Sequence, residues 1–188
     1  MARSGISRRQ WLLASYAASV WPQIAAAQEH AHRRAGSGLP SSLTYFDPST
    51  AAEIEAIAGE IIPSDRTPGA REAGVIYFID RALATFDKRL RGLYRKGLDQ
   101  TQAKRAAMFP GSRTIAGLTA GQRTALLKTI EKTAFFAQVR THTVLGFLGN
   151  PSYGGNRNLT GWKHIGFEDR PAFEPPFGYY DARAREGE

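Results

Sequence analysis

The chain has 188 residues, 42% hydrophobic and 22% charged, enough for one domain with its own core. It has no cysteine, which excludes disulfides, thiolate catalysis, iron–sulfur ligation and covalent c-type haem attachment. The formal charge is +8, and basic residues are scattered through Arg81 to Arg113 and the tail, interleaved with acids, the pattern of solvated helix faces, so nucleic acid is not expected as a partner.

Residues 1–27 read as an export signal. Ser7-Arg8-Arg9-Gln10-Trp11-Leu12 sets paired arginines directly before an apolar run, and Ala25-Ala26-Ala27 offers an A-x-A cleavage site before Gln28. The run from Trp11 to Ile24 contains Ser15, Ser19, Pro22 and Gln23. It falls short of the ~20 mostly apolar residues of a membrane span. The paired arginines, followed by Trp11 and Leu12, resemble a twin-arginine signal, and the weakly hydrophobic run fits that route better than the general secretory one. An ordinary secretory signal with two chance arginines is the alternative. The leader carries Arg3, Arg8 and Arg9 and no acid, so a chain cut after Ala27 keeps 22 basic and 17 acidic residues, a net +5.

Residues 28–43 lack periodicity and are small and polar, which predicts a flexible linker. His30 and His32, with no acid or cysteine beside them, make a poor metal site. Residues 44–188 then form the body. Asp47-Pro48 is an N-cap with proline at the first helical position. Ile54, Ile57, Ala58 and Ile61 give one apolar face, and Pro63 ends the helix. A second helix sets Val75, Phe78, Ile79, Ala82, Leu83 and Phe86 in register, with Asp80 and Arg81 on or near its polar side. Asp87 is expected to cap a third, carrying Leu90, Leu93, Tyr94 and Leu98 and broken by Phe109-Pro110-Gly111. Thr119-Ala120-Gly121-Gln122 reads as a capping box opening the longest helix, from Leu126 through Val139 toward Gly146.

The helical pattern then runs into a stretch dense in Gly and Asn, with Phe147, Tyr153, Trp162 and Phe167 set among them. Gly and Asn accept positive φ, so this predicts an ordered loop over residues 149–167, with Trp162 mostly buried against either the body of the domain or a partner. The chain after Phe167 is rich in proline and aromatics, an irregular strap. The fold expected is all-α: one small domain of about four helices, a long ordered loop and an irregular C-terminal tail.

Catalytic motifs are scarce. There is no G-x-G-x-x-G, no H-E-x-x-H and no nucleophile elbow. Gly149 through Gly155 has the glycine spacing of a P-loop, but Gly155 stands where lysine belongs and Asn156 where Ser or Thr belongs. His142 and His164 are the acid/base candidates, with Asp65, Asp80 or Glu168 to orient one of them, and nothing in the spacing brings these together. His142 on its helix reads more simply as a core or interface histidine. Lys163-His164 beside Trp162 reads as a solvated pair next to a packed indole, or as a contact for an anionic ligand or partner.

Ile61-Ile62-Pro63-Ser64-Asp65, then Pro68-Gly69-Ala70 and Gly74-Val75, then His142-Thr143, Gly146-Phe147, Pro151-x-Tyr153-Gly154-Gly155-Asn156 and Gly161-Trp162-x-x-Ile165-Gly166-Phe167, resemble the gluconate 2-dehydrogenase subunit 3 family. These are the small subunits of periplasmic flavin-dependent sugar and polyol dehydrogenases. The resemblance implies a non-catalytic accessory subunit with no cofactor of its own. Its partners would be an FAD-binding catalytic subunit, a multihaem cytochrome c subunit and the twin-arginine translocase. It implies a role in maturation and co-export of the flavoprotein, within a periplasmic complex at the inner membrane. The signal residues are then Arg8, Arg9, Trp11 and Leu12, with cleavage at Ala25 and Ala27. Candidate interface residues are His142, Phe147, Tyr153, Gly154, Gly155, Asn156, Trp162 and Phe167. Two competing readings are a stand-alone periplasmic enzyme using His142 or His164, and a binding module whose Asn/Gly loop holds a small polar ligand.

Overall fold

The computed structural model describes residues 42–170, so the leader, nearly all of the linker and the tail beyond Arg170 lie outside the described residues. The described residues form six α-helices joined by turns and short 3-10 segments, with no strand among them. The all-α expectation holds. The helix number exceeds four for two reasons, a break inside the fourth helix and a short helix in the loop.

Helix α1 (Pro48–Ile61) starts where Asp47 accepts the Ser49 and Thr50 amides at 2.9 and 3.0 Å. Ile54 and Ile57 are fully buried. Glu53 is buried as well, because its carboxylate accepts the amides of Ile115 and Ala116 at 2.7 and 3.1 Å and so ties a distant loop to α1. Helix α2 (Val75–Ala84) buries Val75, Phe78, Ile79, Ala82 and Leu83 as its periodicity requires. Two expectations need correction here. Phe86 lies beyond the helix and stands exposed. Asp80 is buried rather than on a polar side: it accepts the amides of Thr44, Tyr45 and Phe46 at 2.7, 2.9 and 2.8 Å. Three amide donors on one carboxylate offset the cost of removing it from water, and they latch the start of the body onto α2.

A 3-10 turn over Lys88–Leu90 leads into α3 (Arg91–Met108). Asp87 makes no capping hydrogen bond there; its carboxylate turns inward instead. Helix α3 ends at Met108, before Phe109-Pro110, and at 18 residues is the longest element among the described residues. The capping box forms between Thr119 and Gln122 and opens α4 (Ala120–Lys128). That helix does not continue to Gly146. The Thr129 hydroxyl bonds back to the Leu126 carbonyl at 2.7 Å, and Thr133 caps a new helix by accepting the Phe136 amide at 3.2 Å. Threonine hydroxyls compete for backbone groups in this way. The new helix, α5 (Ala134–Leu148), packs against α1, α2 and α3. Gly97 of α3 lets the Phe135 ring lie directly on the helix backbone. The core is built from α1, α2, Tyr94, the Ile115–Leu118 loop, α4 and the inner face of α5.

Candidate functional site

The end of α5 leaves its last carbonyls without helical partners, and the Gly/Asn stretch answers most of that need. The Gly149 amide donates to the Leu145 carbonyl at 2.7 Å and the Asn156 amide to that of Gly146 at 2.7 Å. The Trp162 indole Nε1 donates to the Leu148 carbonyl at 2.6 Å. A 3-10 turn over Pro151–Tyr153, with Asn150 accepting the Ser152 amide, brings the chain back toward α2. Gly154 makes the reversal at φ +107, where an added Cβ would come within 3.1 Å of the Tyr77 carbonyl. A Cβ on Gly155 would collide with the Gly146 carbonyl, and one on Gly161 with that of Phe147. The sequence therefore needs glycine at these places to let two stretches of backbone touch.

Asn156 is the pin of the loop. It is fully buried at φ 47, its Nδ2 donates to the Gly149 carbonyl at 2.9 Å, and its Oδ1 accepts the Gly161 amide at 2.8 Å. The Arg157 amide donates to the Ala73 carbonyl at 2.9 Å, and its guanidinium lies over the Tyr77 ring, 3.5 Å from the centroid. Arg81 of α2 reaches across to the Ser152 carbonyl at 2.6 Å. A short helix, α6 (Thr160–Ile165), follows and sets Trp162 at 8% exposure against the end of α5. The stretch is thus not all loop. Positive φ occurs at only two of its glycines, Gly154 and Gly166, while Asn156, Asn158 and Leu159 supply the rest. The amides of Asn156 and Arg157 are both taken by carbonyls, so the P-loop-like spacing forms no phosphate cradle from them.

The buried histidine sits on the same helix. His142 is 1% exposed, with Nδ1 2.8 Å from the Tyr94 hydroxyl and Nε2 3.1 Å from Asp87 Oδ2. Asp87 can only accept, so Nε2 carries the proton and Nδ1 accepts the Tyr94 hydroxyl. The Tyr94 ring stacks on the imidazole at 5.7 Å and Phe78 meets it edge-on at 6.0 Å. Burial lowers the His142 pKa from its ordinary value; the Asp87 hydrogen bond and charge oppose this without cancelling it. Burial, with the Asp87 charge adding to it, pushes the Tyr94 phenol far above its usual range.

The family model described as gluconate 2-dehydrogenase subunit 3 matches residues 48–169, well over half of the chain. The chain belongs to that family. The match runs from the first turn of α1 past the end of α6, so the helical body and the capping loop both lie within it. Membership implies an accessory subunit whose partner is a dehydrogenase. No curated protein and no solved structure matches the chain.

In this subunit-3 chain, six of the eight candidate interface residues are buried: His142, Phe147, Gly154, Gly155, Asn156 and Trp162. The side chains of His142, Phe147, Asn156 and Trp162 cap α5 or fill the space around it, and Gly154 and Gly155 let the loop backbone lie against α2 and α5. Tyr153 and Phe167 are the two that reach the surface. Phe167 turns back onto the Trp162 ring at 4.9 Å.

The proposed orienting acids do not reach either histidine. Asp65 accepts the Thr67 amide, Asp80 holds Thr44–Phe46, and Glu168 pairs with Arg170. His164 is exposed, its ring 6.1 Å from that of Phe147. The hydrogen-bond partners of His142 are Tyr94 and Asp87, and sequence reading missed that pairing because 55 residues separate Asp87 from the histidine. A general base needs a free lone pair within reach of a substrate proton. Here both ring nitrogens are engaged inside the protein, and the Asp87–His142–Tyr94 chain clamps the turn after α2, α5 and α3 together. Among the described residues no group of three potential metal ligands forms, and no helix is long and apolar enough to cross a membrane.

Proposed function

We propose that this chain is the non-catalytic small subunit of a heteromeric periplasmic FAD-dependent sugar or polyol dehydrogenase. It assists maturation of the flavoprotein subunit and carries it through the twin-arginine translocase. The observation that carries the reading is the family match across the whole helical body. The export route rests on the leader, where Arg8 and Arg9 precede a weakly hydrophobic run and an Ala25-Ala26-Ala27 cleavage site. A flavoprotein folds around FAD in the cytoplasm, and a channel for unfolded chains cannot pass it. A route for folded cargo lets one signal serve a preassembled pair. Electrons leave the flavin for a multihaem cytochrome c subunit, and this chain, with no cysteine, offers no thiolate-held redox centre on the way. Which sugar is oxidised is decided by the partner.

The test is Arg8→Lys with Arg9→Lys, since a guanidinium fork is not interchangeable with an ammonium at a planar multidentate contact. Dehydrogenase activity is measured in periplasmic and cytoplasmic fractions. Both subunits are expected to stay in the cytoplasm, with the flavoprotein active in lysates. Normal delivery of the flavoprotein to the periplasm in the double variant would overturn the carrier role.

A further inference from the structure

Seven large apolar side chains stand exposed among the described residues. Five of them (Val144, Leu145, Tyr153, Ile165 and Phe167) belong to the second half of α5, the capping loop and α6, and a sixth, Phe86, touches Tyr153. Phe86 and Tyr153 are 55% and 52% exposed and meet edge to face with centroids 6.4 Å apart. Both come from segments held rigid from below. Phe86 is backed by Phe78 at 6.3 Å and followed by Asp87, which is anchored on His142. Tyr153 sits in the turn that Arg81 grips through the Ser152 carbonyl. Two rigid aromatics side by side give contact area at little conformational cost, which is what binding anchors require.

The charge around the pair is net positive. Arg81, Lys88 and Arg89 are exposed on the flanking turn and helix, whereas Asp80 faces inward onto three backbone amides and Asp87 binds His142 through Oδ2 while its Oδ1 pairs with Arg89 at 3.5 Å, which leaves a net positive rim. From Lys132 to Phe167 the chain contains no Asp or Glu at all. We infer that the Phe86–Tyr153 pair is the anchor by which this subunit docks on its dehydrogenase partner, seated in an apolar socket rimmed by carboxylates. The inference rests on the subunit reading above and names the surface that serves it. Like charge opposes a second copy of this chain as the occupant.

The test titrates the full chain against its dehydrogenase subunit at low and high salt. Two double variants are compared with wild type: Phe86→Ser with Tyr153→Ser, and Lys88→Glu with Arg89→Glu. Phe86 and Tyr153 are more than half exposed, and Arg89 is 82% exposed even where it pairs with Asp87, so thermal unfolding should stay within a few degrees of the wild-type temperature. The aromatic variant is expected to weaken binding about 30-fold or more, the scale of losing a hot spot. The charge variant should weaken binding at low salt and flatten its salt dependence. Met108→Ser, at an exposed apolar position on α3, should bind as wild type. Wild-type affinity in both double variants would overturn the docking surface and leave the subunit reading standing. No binding by the wild-type chain would overturn both. Wild-type affinity in the aromatic variant, together with loss of self-association or of binding to anionic vesicles, would assign the pair to another occupant and overturn the proposal.

Discussion

Replacing Asn156 by alanine tests whether the Gly/Asn stretch is held by its own chain. The substitution removes two side-chain hydrogen bonds, to the Gly149 carbonyl and from the buried Gly161 amide. A buried polar group left unpaired costs about 1–3 kcal/mol. Alanine at φ 47 adds about 1 kcal/mol of backbone strain that asparagine tolerates better. The expected loss is therefore roughly 3–5 kcal/mol, or on the order of 10–20 °C in Tm for a body of this size. The assay is urea and thermal unfolding followed by tryptophan fluorescence. Trp11 and Trp21 lie in the leader, so a chain beginning at Gln28 reports through Trp162 alone, on the helix that Asn156 pins. Asn156→Asp adds a pH test. It keeps the shape but sets an oxygen against the Gly149 carbonyl in a buried place, which raises the carboxyl pKa above its unfolded value. The native state then holds the proton more tightly, so the variant should lose stability as pH rises above about 4. A loss below about 1 kcal/mol in Asn156→Ala would refute the argument, because the loop would then be docked without its pin.

The lowered pKa of His142 has a sign that urea unfolding can read. The unfolded chain takes up a proton below about pH 6.5 that the native chain resists, so stability should fall with pH there, at a limiting slope of about 1.4 kcal/mol per unit from this group. His142→Phe should lower stability overall yet flatten that slope, and turnover of the assembled complex should stay within about threefold in His142→Ala, against ~10²–10⁴ for a catalytic histidine. Trp162→Ala should cost about 3–5 kcal/mol, and Trp162→Phe, which keeps the ring packing and loses the bond to Leu148, about 1–2 kcal/mol.

Local signals in the sequence were legible and local in their consequences. Asp47-Pro48, the Thr119–Gln122 box and the break at Phe109-Pro110 start and stop helices where their chemistry requires. The division between α4 and α5 was not legible from apolar periodicity, because Ile130 and Phe135 continue the stripe while Thr129 and Thr133 end one helix and open the next. The carboxylates were the hardest to place. Glu53, Asp80 and Asp87 look like ordinary surface or capping acids, and each holds a partner 34 or more residues away. Hydrogen bonds of that range leave no mark in residue spacing. The aromatic-and-glycine motif was legible as a built structure but not as a cap, since only the fold shows that α5 ends where its donors arrive.

Those inward carboxylates also shape what the partner meets. With Asp80 engaged inside and Asp87 shared between His142 and Arg89, the turn that presents Phe86 shows Lys88 outward with a net positive charge, and the capping loop presents Tyr153 from a stretch that has no acid. Most of the family motif therefore acts beneath the surface it supports. Damage at Asn156, Gly155 or Trp162 uncaps α5 and shifts Tyr153 away from Phe86, so binding should weaken only as far as stability falls. Damage at Phe86 or Tyr153 leaves the cap in place, so binding should weaken at unchanged stability. Plotting the change in binding free energy against the change in unfolding free energy for both sets of variants separates support from contact: a rising line for the first, a vertical column for the second. If both sets fell on one line, the exposed pair would be part of the scaffold rather than the surface the partner reads.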